Sequence, residues 1–210
     1  MSRSDPFFKA IETRRTYYDL TNASSISDAD IQGILERAIK FTPSPFNMQS
    51  GRLVLALGQS NKKLWSIVKE HYLESIKDNA DQVALHSKKI DEYASGHGTV
   101  LFFEDQSVLE SWYQRMPHFK AWGCFDTWSQ NSTGMLQFAI WTALEVEGLG
   151  ASLQHHSEYA EPINGDILKA FDLPGTYKNT ALMPFGIPGP SPLREKTFIP
   201  VEERVKVVSS

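Results

Sequence analysis

Thr127-Trp128-Ser129-Gln130-Asn131-Ser132-Thr133-Gly134-Met135-Leu136-Gln137-Phe138-Ala139-Ile140-Trp141-Thr142-Ala143-Leu144-Glu145-Val146-Glu147 is the longest helical pattern in the chain. Its reading decides the architecture. Met135, Phe138, Ala139, Trp141, Thr142 and Val146 cover much of its circumference. A helix that is apolar on several sides is buried on several sides. In a chain of 210 residues, long enough for one sizeable domain, this predicts a central helix or one that meets a second copy. Gly148-Leu149-Gly150 follows it as a C-cap and turn. A dinucleotide fingerprint does not fit there, because these glycines follow a helix and precede a strand, the reverse of that motif.

Working outward, Ala151 to Gln154 reads as a strand, Ile163 to Phe171 as a short helix and Tyr177 to Phe185 as another strand. Beyond Gly186 the prolines Pro188, Pro190 and Pro192 make the chain irregular. Toward the N-terminus, Asp5 to Thr13 is a short amphipathic helix. Ser27 and Asp30 form a capping pair that starts a second helix, with Ile31, Ile34, Leu35, Ala38 and Ile39 on one face. Pro43 requires that helix to end before it. Arg52 to Leu57 reads as a buried strand and Thr99 to Phe103 as another. Asn61 to Asn79, Asp81 to Ser95 and Asp105 to Arg115 are helical in pattern. Strands interleaved with helices predict a mixed sheet covered on both faces.

The composition narrows the partners. A net charge of −4 offers nothing to nucleic acid. A hydrophobic share of 41% is that of a chain with a packed core. Cys124 is the one cysteine, so no intrachain disulfide forms. Neither a signal-peptide pattern at Met1 nor an apolar run near ~20 residues is present, so a cytoplasmic protein without a membrane partner is expected.

Two short stretches carry chemistry. Arg14-Arg15-Thr16-Tyr17-Tyr18, after the first helix, offers two guanidinium forks and a hydroxyl, which suit a phosphate. The bland alternative is a pair of cations favouring a helix C-terminus. Pro43-Ser44-Pro45-Phe46-Asn47-Met48-Gln49 is a proline-stiffened loop presenting two amides and a ring, which suit the edge of a flat heterocycle. Its amides read equally as turn residues, and Phe46 as a stacking ring or a loop filler. Together the stretches suggest a phosphorylated planar cofactor, with FMN the candidate. His155 and His156 are adjacent on an extended segment, so they point to opposite faces and chelate a metal poorly; no metal is expected. Cys124 has no recognisable activating partner. Trp112, Tyr113, Phe119, Trp122, Phe125 and Trp128 crowd one region, either as core or as a lid over a flat ligand.

These motifs resemble the FMN-dependent nitroreductase family, which pairs an Arg-Arg-Thr-like helix end with a Pro-Ser-x-x-Asn-x-Gln loop. The likeness extends through Trp141 to His156 and through Phe185-Gly186-Ile187-Pro188 to Arg194-Glu195-Lys196. Asn47-Met48-Gln49-Ser50-Gly51-Arg52-Leu53, Leu101-Phe102-Phe103-Glu104-Asp105 and Glu195-Lys196-Thr197-Phe198-Ile199 are similar to a shorter branch shared by fungi and some bacteria. The resemblance implies an α+β fold: a three-layer α-β-α sandwich with a mixed, mainly antiparallel sheet, in a homodimer with an exchanged C-terminal arm. It implies that Arg14, Arg15, Thr16, Arg194 and Lys196 surround the FMN phosphate and that Asn47 and Gln49 meet the ring. Many relatives carry Glu-Gly where this chain has His155-His156. A backbone contact from Gln154, His155 or His156 to the flavin is expected there, with His155 a candidate proton donor. The implied reaction passes hydride from NADH or NADPH through flavin N5 to a nitroaromatic, nitroso or quinone acceptor, in an oxidative-stress setting. The other reading is a flavin-binding regulatory or stress protein linked to lipid signalling.

Overall fold

The computed structural model describes residues 2–160 and 162–209. The elements run α1 Asp5–Thr13, β1 Leu20–Thr21, α2 Asp28–Phe41, β2 Gly51–Leu57, α3 Gly58–Ser75, α4 Ala80–Ala94, β3 Gly98–Asp105, α5 Gln106–Arg115, α6 Cys124–Val146, β4 Gly150–Ala151, α7 Pro162–Ala170 and β5 Tyr177–Pro188. Short 3-10 turns lie at Pro45–Asn47, Pro117–Trp122, His156–Glu158 and Val201–Glu203.

Local chemistry sets the ends of the key helices. Ser27 Oγ accepts the Asp30 N–H at 3.2 Å while the Asp30 carboxylate accepts the Ser27 N–H at 3.3 Å, so the reciprocal cap forms with Asp in place of Glu. α2 stops at Phe41, two residues before Pro43. α6 ends where Gly148 adopts φ +81°. There the Leu149 N–H reaches the Leu144 carbonyl and the Gly148 N–H reaches that of Glu145. This 6→1 and 5→2 pair satisfies carbonyls the helix leaves open and turns the chain into β4.

The sheet order is β1-β5-β3-β2, with β4 also paired to β5. Every pairing among the described residues is antiparallel, so the parallel component of the expected mixed sheet is not among them. The connections explain this. Two antiparallel helices, α3 and α4, join β2 to β3, whereas a parallel pair needs a single crossover. All eight residues of β3 are buried, as befits an inner strand. β2 is an edge strand in one chain and only Ala56 on it is fully buried, so the expectation of a buried strand there holds in part.

Side-chain alternation divides the core into two layers. Leu101, Phe103 and Leu182 face α3, α4 and α7, where Leu64, Trp65, Val68, Ile90 and Ile163 cover them. Val100, Phe102, Ala181, Met183 and Phe185 face α2 and α6, meeting Ile31, Leu35, Leu136, Ile140 and Leu144. The fold is therefore an α+β three-layer sandwich. One face of α6 stays open: Met135 is 45% exposed, Phe138 39% and Val146 62%. No helix among the described residues is long and apolar enough to cross a membrane.

Candidate functional site

The end of α1 and the start of the C-terminal segment enclose one cavity. It has a volume of about 560 Å³ and is lined by Arg14, Arg15, Thr16, Arg194 and Lys196, with Tyr17, Tyr18, Asp19 and Ser191 at its walls. Residues 180 positions apart in sequence thus meet, and backbone contacts hold them. The Arg15 guanidinium donates to the Arg194 carbonyl. Lys196 Nζ donates to the Glu12 carbonyl at 2.5 Å, taking up an orphan acceptor at the end of α1. Ser191 gives both its N–H and its hydroxyl to the Asp19 carboxylate, at 3.1 and 2.5 Å.

Arg14 is the decisive member. Its guanidinium lies 4.2 Å over the Trp141 ring. Its Nη1 is buried and has no hydrogen-bond partner among the described residues. Burial pulls its pKa below the ordinary arginine value, with Glu145 opposing and Arg15 reinforcing that shift. A buried, unpaired cationic donor is costly unless an anion completes it. The residues present therefore fit a phosphate. Glu145 was not anticipated, yet it anchors this stretch by accepting the Arg15 N–H at 3.3 Å and the Tyr17 hydroxyl at 3.1 Å. The only hint in the sequence was a carboxylate within the apolar last turns of the longest helix.

Asn47 and Gln49 do not reach this cavity within one chain. The Pro43–Gln49 loop lies along a separate cavity of about 390 Å³ that Gln49 lines with Lys40, Arg52, Glu104 and Ser132. Both amide side chains are exposed. Phe46, Asn47 and Gln49 have φ of 51°, 53° and 51°. Such left-handed backbone costs roughly 1–2 kcal/mol for each non-glycine residue. The loop keeps this shape because its prolines stiffen it, Met48 is buried and the Gln49 N–H reaches Ser44 Oγ at 3.0 Å. Phe46 stacks on Trp112 at 5.4 Å between centroids and touches Phe119, Phe125 and Trp128. Trp112, Tyr113, Phe119, Phe125 and Trp128 thus belong to a third cluster that buttresses the loop, while Trp122 stands outside it, 71% exposed.

The histidines do face different surroundings, but not as neighbours on a strand: His155 caps and His156 opens the 3-10 turn His156–Glu158. His156 turns inward and is 5% exposed, edge-on to Trp65, Tyr72 and Tyr93. Burial, with His86 and His155 nearby, pushes its pKa down to about 4. Its side chain packs among the α3 and α4 aromatics and lines neither cavity, with Nδ1 buried and unpartnered among the described residues. The Gln154 N–H and carbonyl are both bonded to Leu182, at 2.8 Å each, so this backbone is committed to the sheet. The extended run is shorter than expected: β4 covers Gly150–Ala151, and Gln154 adds one bridge. His155 remains half-buried, and no hydrogen bond among the described residues takes up its N–H.

Glu104 is the other unforeseen group. It is 1% exposed and accepts the Ser50 hydroxyl at 2.5 Å. Burial raises its pKa to about 7 against the pull of Ser50 and Arg52. The folded state therefore holds a proton that the unfolded chain releases near the ordinary value. Stability from this group is full below pH ~4.5, declines as pH rises and is level above about 7. Glu104→Gln is expected to remove that decline. In urea melts the variant should gain roughly 3 kcal/mol on wild type between pH 4.5 and 8, because each tenfold difference in proton affinity between the two states is worth about 1.4 kcal/mol. An equal difference at both pH values would contradict a buried, proton-holding Glu104.

Comparison with known proteins accords with this arrangement. Residues 11–187 match the model of the Nitroreductase family. The chain is 31% identical over 201 residues to nitroreductase FRM2 of Saccharomyces cerevisiae, spanning 95% of this chain and 96% of that one. It is 31% identical to the Lactococcus lactis nitroreductase CinD, solved with nicotinic acid, covering 97% of this chain and 100% of that one at a TM-score of 0.81. CinD has also been solved with chloramphenicol and with 4-nitrophenol. A Desulfovibrio desulfuricans protein solved in complex with FMN shares the fold, at a TM-score of 0.67 and 18% identity, covering 96% of this chain and 95% of that one. A family match across most of the chain, on a three-layer fold that gathers the phosphate-type residues into one cavity, makes this an oxidoreductase of the nitroreductase type: the chain belongs to the nitroreductase family.

Proposed function

We propose that the protein is a homodimeric FMN-dependent oxidoreductase that uses NADH or NADPH to reduce nitroaromatic, nitroso or quinone-type acceptors. The observation that carries this is the buried, unpartnered Nη1 of Arg14 in a cavity ringed by Arg15, Thr16, Arg194 and Lys196. Four cations and a hydroxyl suit a dianionic phosphate monoester. The FMN-bound fold neighbour and the nitrophenol complex of CinD support the same cofactor and acceptor class.

When bound, FMN supplies the hydride chemistry between the nicotinamide and the acceptor. The chain supplies the rest. Arg14, Arg15, Arg194 and Lys196 hold the phosphate. Glu145 fixes the backbone from Arg15 to Tyr17 that aims them. The free N–H of His155 is the best-placed backbone donor of the Gln154–His156 run, and its imidazole is a candidate proton source. Gln49 lines a different cavity of the same chain and Asn47 is exposed outside the phosphate-type one, so the ring-reading loop is best supplied by a second copy. The open apolar face of α6 and the exposed Phe198, Ile199, Val201 and Val205 of the C-terminal segment support such a pairing, since monomers rarely expose so much apolar surface.

Arg14→Ala is expected to weaken FMN binding about tenfold to a hundredfold, the worth of a charge-assisted contact of roughly 1.5–3 kcal/mol. Fluorescence titration measures it, and an unchanged Kd would remove the phosphate assignment. Anaerobic stopped-flow mixing of the yellow protein with NADH and NADPH tests the enzyme reading. Rapid bleaching followed by reoxidation with a nitroarene is the expected result; failure to bleach with either donor would favour a flavin-binding regulator instead.

A further inference from the structure

We propose that Glu104 is a positioning residue that, through Ser50, holds the Pro43–Gln49 loop in the shape its amides need to meet a flat ring. The geometry is specific. Glu104 lies opposite Gly51 in the β2–β3 register. A Cβ at Gly51 would meet the Glu104 Oε1 at 3.9 Å, an ordinary contact, so the carboxylate lies against this position. Its Oε2 then receives the hydroxyl of Ser50, which is fully buried directly after the loop. The Ser50 carbonyl accepts the Asp105 N–H at 2.9 Å, so both ends of this residue are tied to the end of β3. Arg52 completes the clamp. Its Nη1 donates to the Gln49 and Gly51 carbonyls at 2.7 and 2.9 Å, and its Nη2 pairs with Asp105 at 3.0 Å.

A loop with three left-handed non-glycine residues persists only where its surroundings over-determine it. Pro43, Pro45 and the Ser44 bonds fix its front. The Ser50–Glu104 bond fixes its back, and Glu104 is the most deeply buried ionisable group in the clamp. The charged groups facing Glu104 are Arg52 from β2, Asp105 from its own strand and Lys40 from α2; α6 contributes the uncharged Ser132 and Leu136. Burial brings Glu104 to titrate at about 7. As it ionises, the Ser50 hydroxyl meets a carboxylate, and the bond becomes charge-assisted and stronger. The Ser50 bond is thus stronger at pH 8 than at pH 6 in local openings that leave Glu104 buried, even though the fold as a whole loses the stability its proton gave. The bearing of this clamp on FMN rests on the proposed function, whereas the clamp itself does not.

The test compares wild type with Glu104→Gln at pH 6 and pH 8. The amide keeps the shape and can bond Ser50 but cannot ionise. FMN Kd is measured on the full chain. On the chain without FMN, hydrogen exchange is measured at the amides of Asn47, Met48 and Gln49. In each case the variant-to-wild-type ratio is taken, which cancels the ionisation of the FMN phosphate and the intrinsic pH dependence of exchange. Both ratios should lie near one at pH 6 and rise about tenfold at pH 8. Measured against Ser50→Ala alone instead of wild type, the double variant Ser50→Ala/Glu104→Gln should show no rise, because the two residues act as one unit. Ser50→Ala alone, a smaller change, gives a second reading of the same clamp should Glu104→Gln misfold. A purely packing role for Glu104 gives ratios that do not move with pH, and that result overturns the proposal. A rising exchange ratio in a protein that binds no FMN upholds the clamp and defeats the cofactor reading alone.

Discussion

Ending the chain after Gly189 is expected to leave a folded protein that neither retains FMN nor stays paired. The cut removes Arg194 and Lys196, two of the four cations around the candidate phosphate cavity. At roughly 1.5–3 kcal/mol for each charge-assisted contact, FMN affinity should fall about a hundredfold to ten-thousandfold. It also frees what those residues cover: the Glu12 carbonyl loses Lys196 and the Arg15 guanidinium loses the Arg194 carbonyl. None of the described residues after Gly189 is buried, so circular dichroism should change little, while Tm should fall by what pairing contributes. The same cut removes Phe198, Ile199, Val201 and Val205, which are exposed in one chain. A second copy covering them and the open face of α6 would bury more than ~2,000 Å² of apolar-rich surface, the range of an obligate dimer. Sedimentation at micromolar concentration should therefore find the full chain as a dimer and the shortened one as a monomer. Retained FMN with unchanged Kd would dismiss Arg194 and Lys196 as phosphate ligands. An unaltered dimer would show that the arm does not join the copies.

Much of this arrangement was legible from residue order, for physical reasons that also mark where legibility stopped. Helix ends were clear because caps and prolines act locally: Ser27, Asp30, Pro43 and Gly148 each do in the structure what their chemistry predicts. The convergence of Arg14 and Arg15 with Arg194 and Lys196 was visible only through resemblance, since no local rule links positions 180 residues apart. Glu145 and Glu104 were passed over because a lone carboxylate in a helix or at a strand end reads as a solvated charge. Only packing reveals that one accepts Tyr17 and the other is sealed beneath Ser50. His156 went to the core for a similar reason. Alternation assigns two neighbouring side chains to opposite faces, but it cannot say which face is the aromatic interior. The two-residue β1 was too short for any periodicity to register, and the strand expected over Ala151 to Gln154 overlaps the two-residue β4 only at Ala151.

Gly150→Ala should injure the fold and the cavity together. Gly150 is buried in β4, opposite Gly186 of β5. A Cβ there would stand 2.7 Å from Tyr17 Cγ, 2.8 Å from Tyr17 Cδ2 and 2.9 Å from Pro188 Cγ, all closer than packed carbons approach. Neither neighbour can yield easily. The Tyr17 N–H is bonded to the Ala151 carbonyl at 3.0 Å and its hydroxyl to Glu145 at 3.1 Å, while Pro188 is a rigid ring. Overpacking of this kind costs roughly 1–3 kcal/mol, which for a chain of this length lowers Tm by about 2–12 °C. Because Tyr17 sits between Thr16 and Tyr18 in the cavity wall, its displacement should also weaken FMN binding, by about twofold to tenfold if half of the strain reaches Arg14. The control is Gly33→Ala in the interior of α2, where an added Cβ meets nothing within 4 Å and the change should stabilise by roughly 0.5–1 kcal/mol. Pairing Gly150→Ala with Tyr17→Ala should restore part of the lost stability by making room, though not the FMN affinity, since the tether to Glu145 is then gone. A Gly150→Ala protein as stable as wild type, with unaltered FMN affinity, would mean that Tyr17 moves freely and that its tethers do not shape the site.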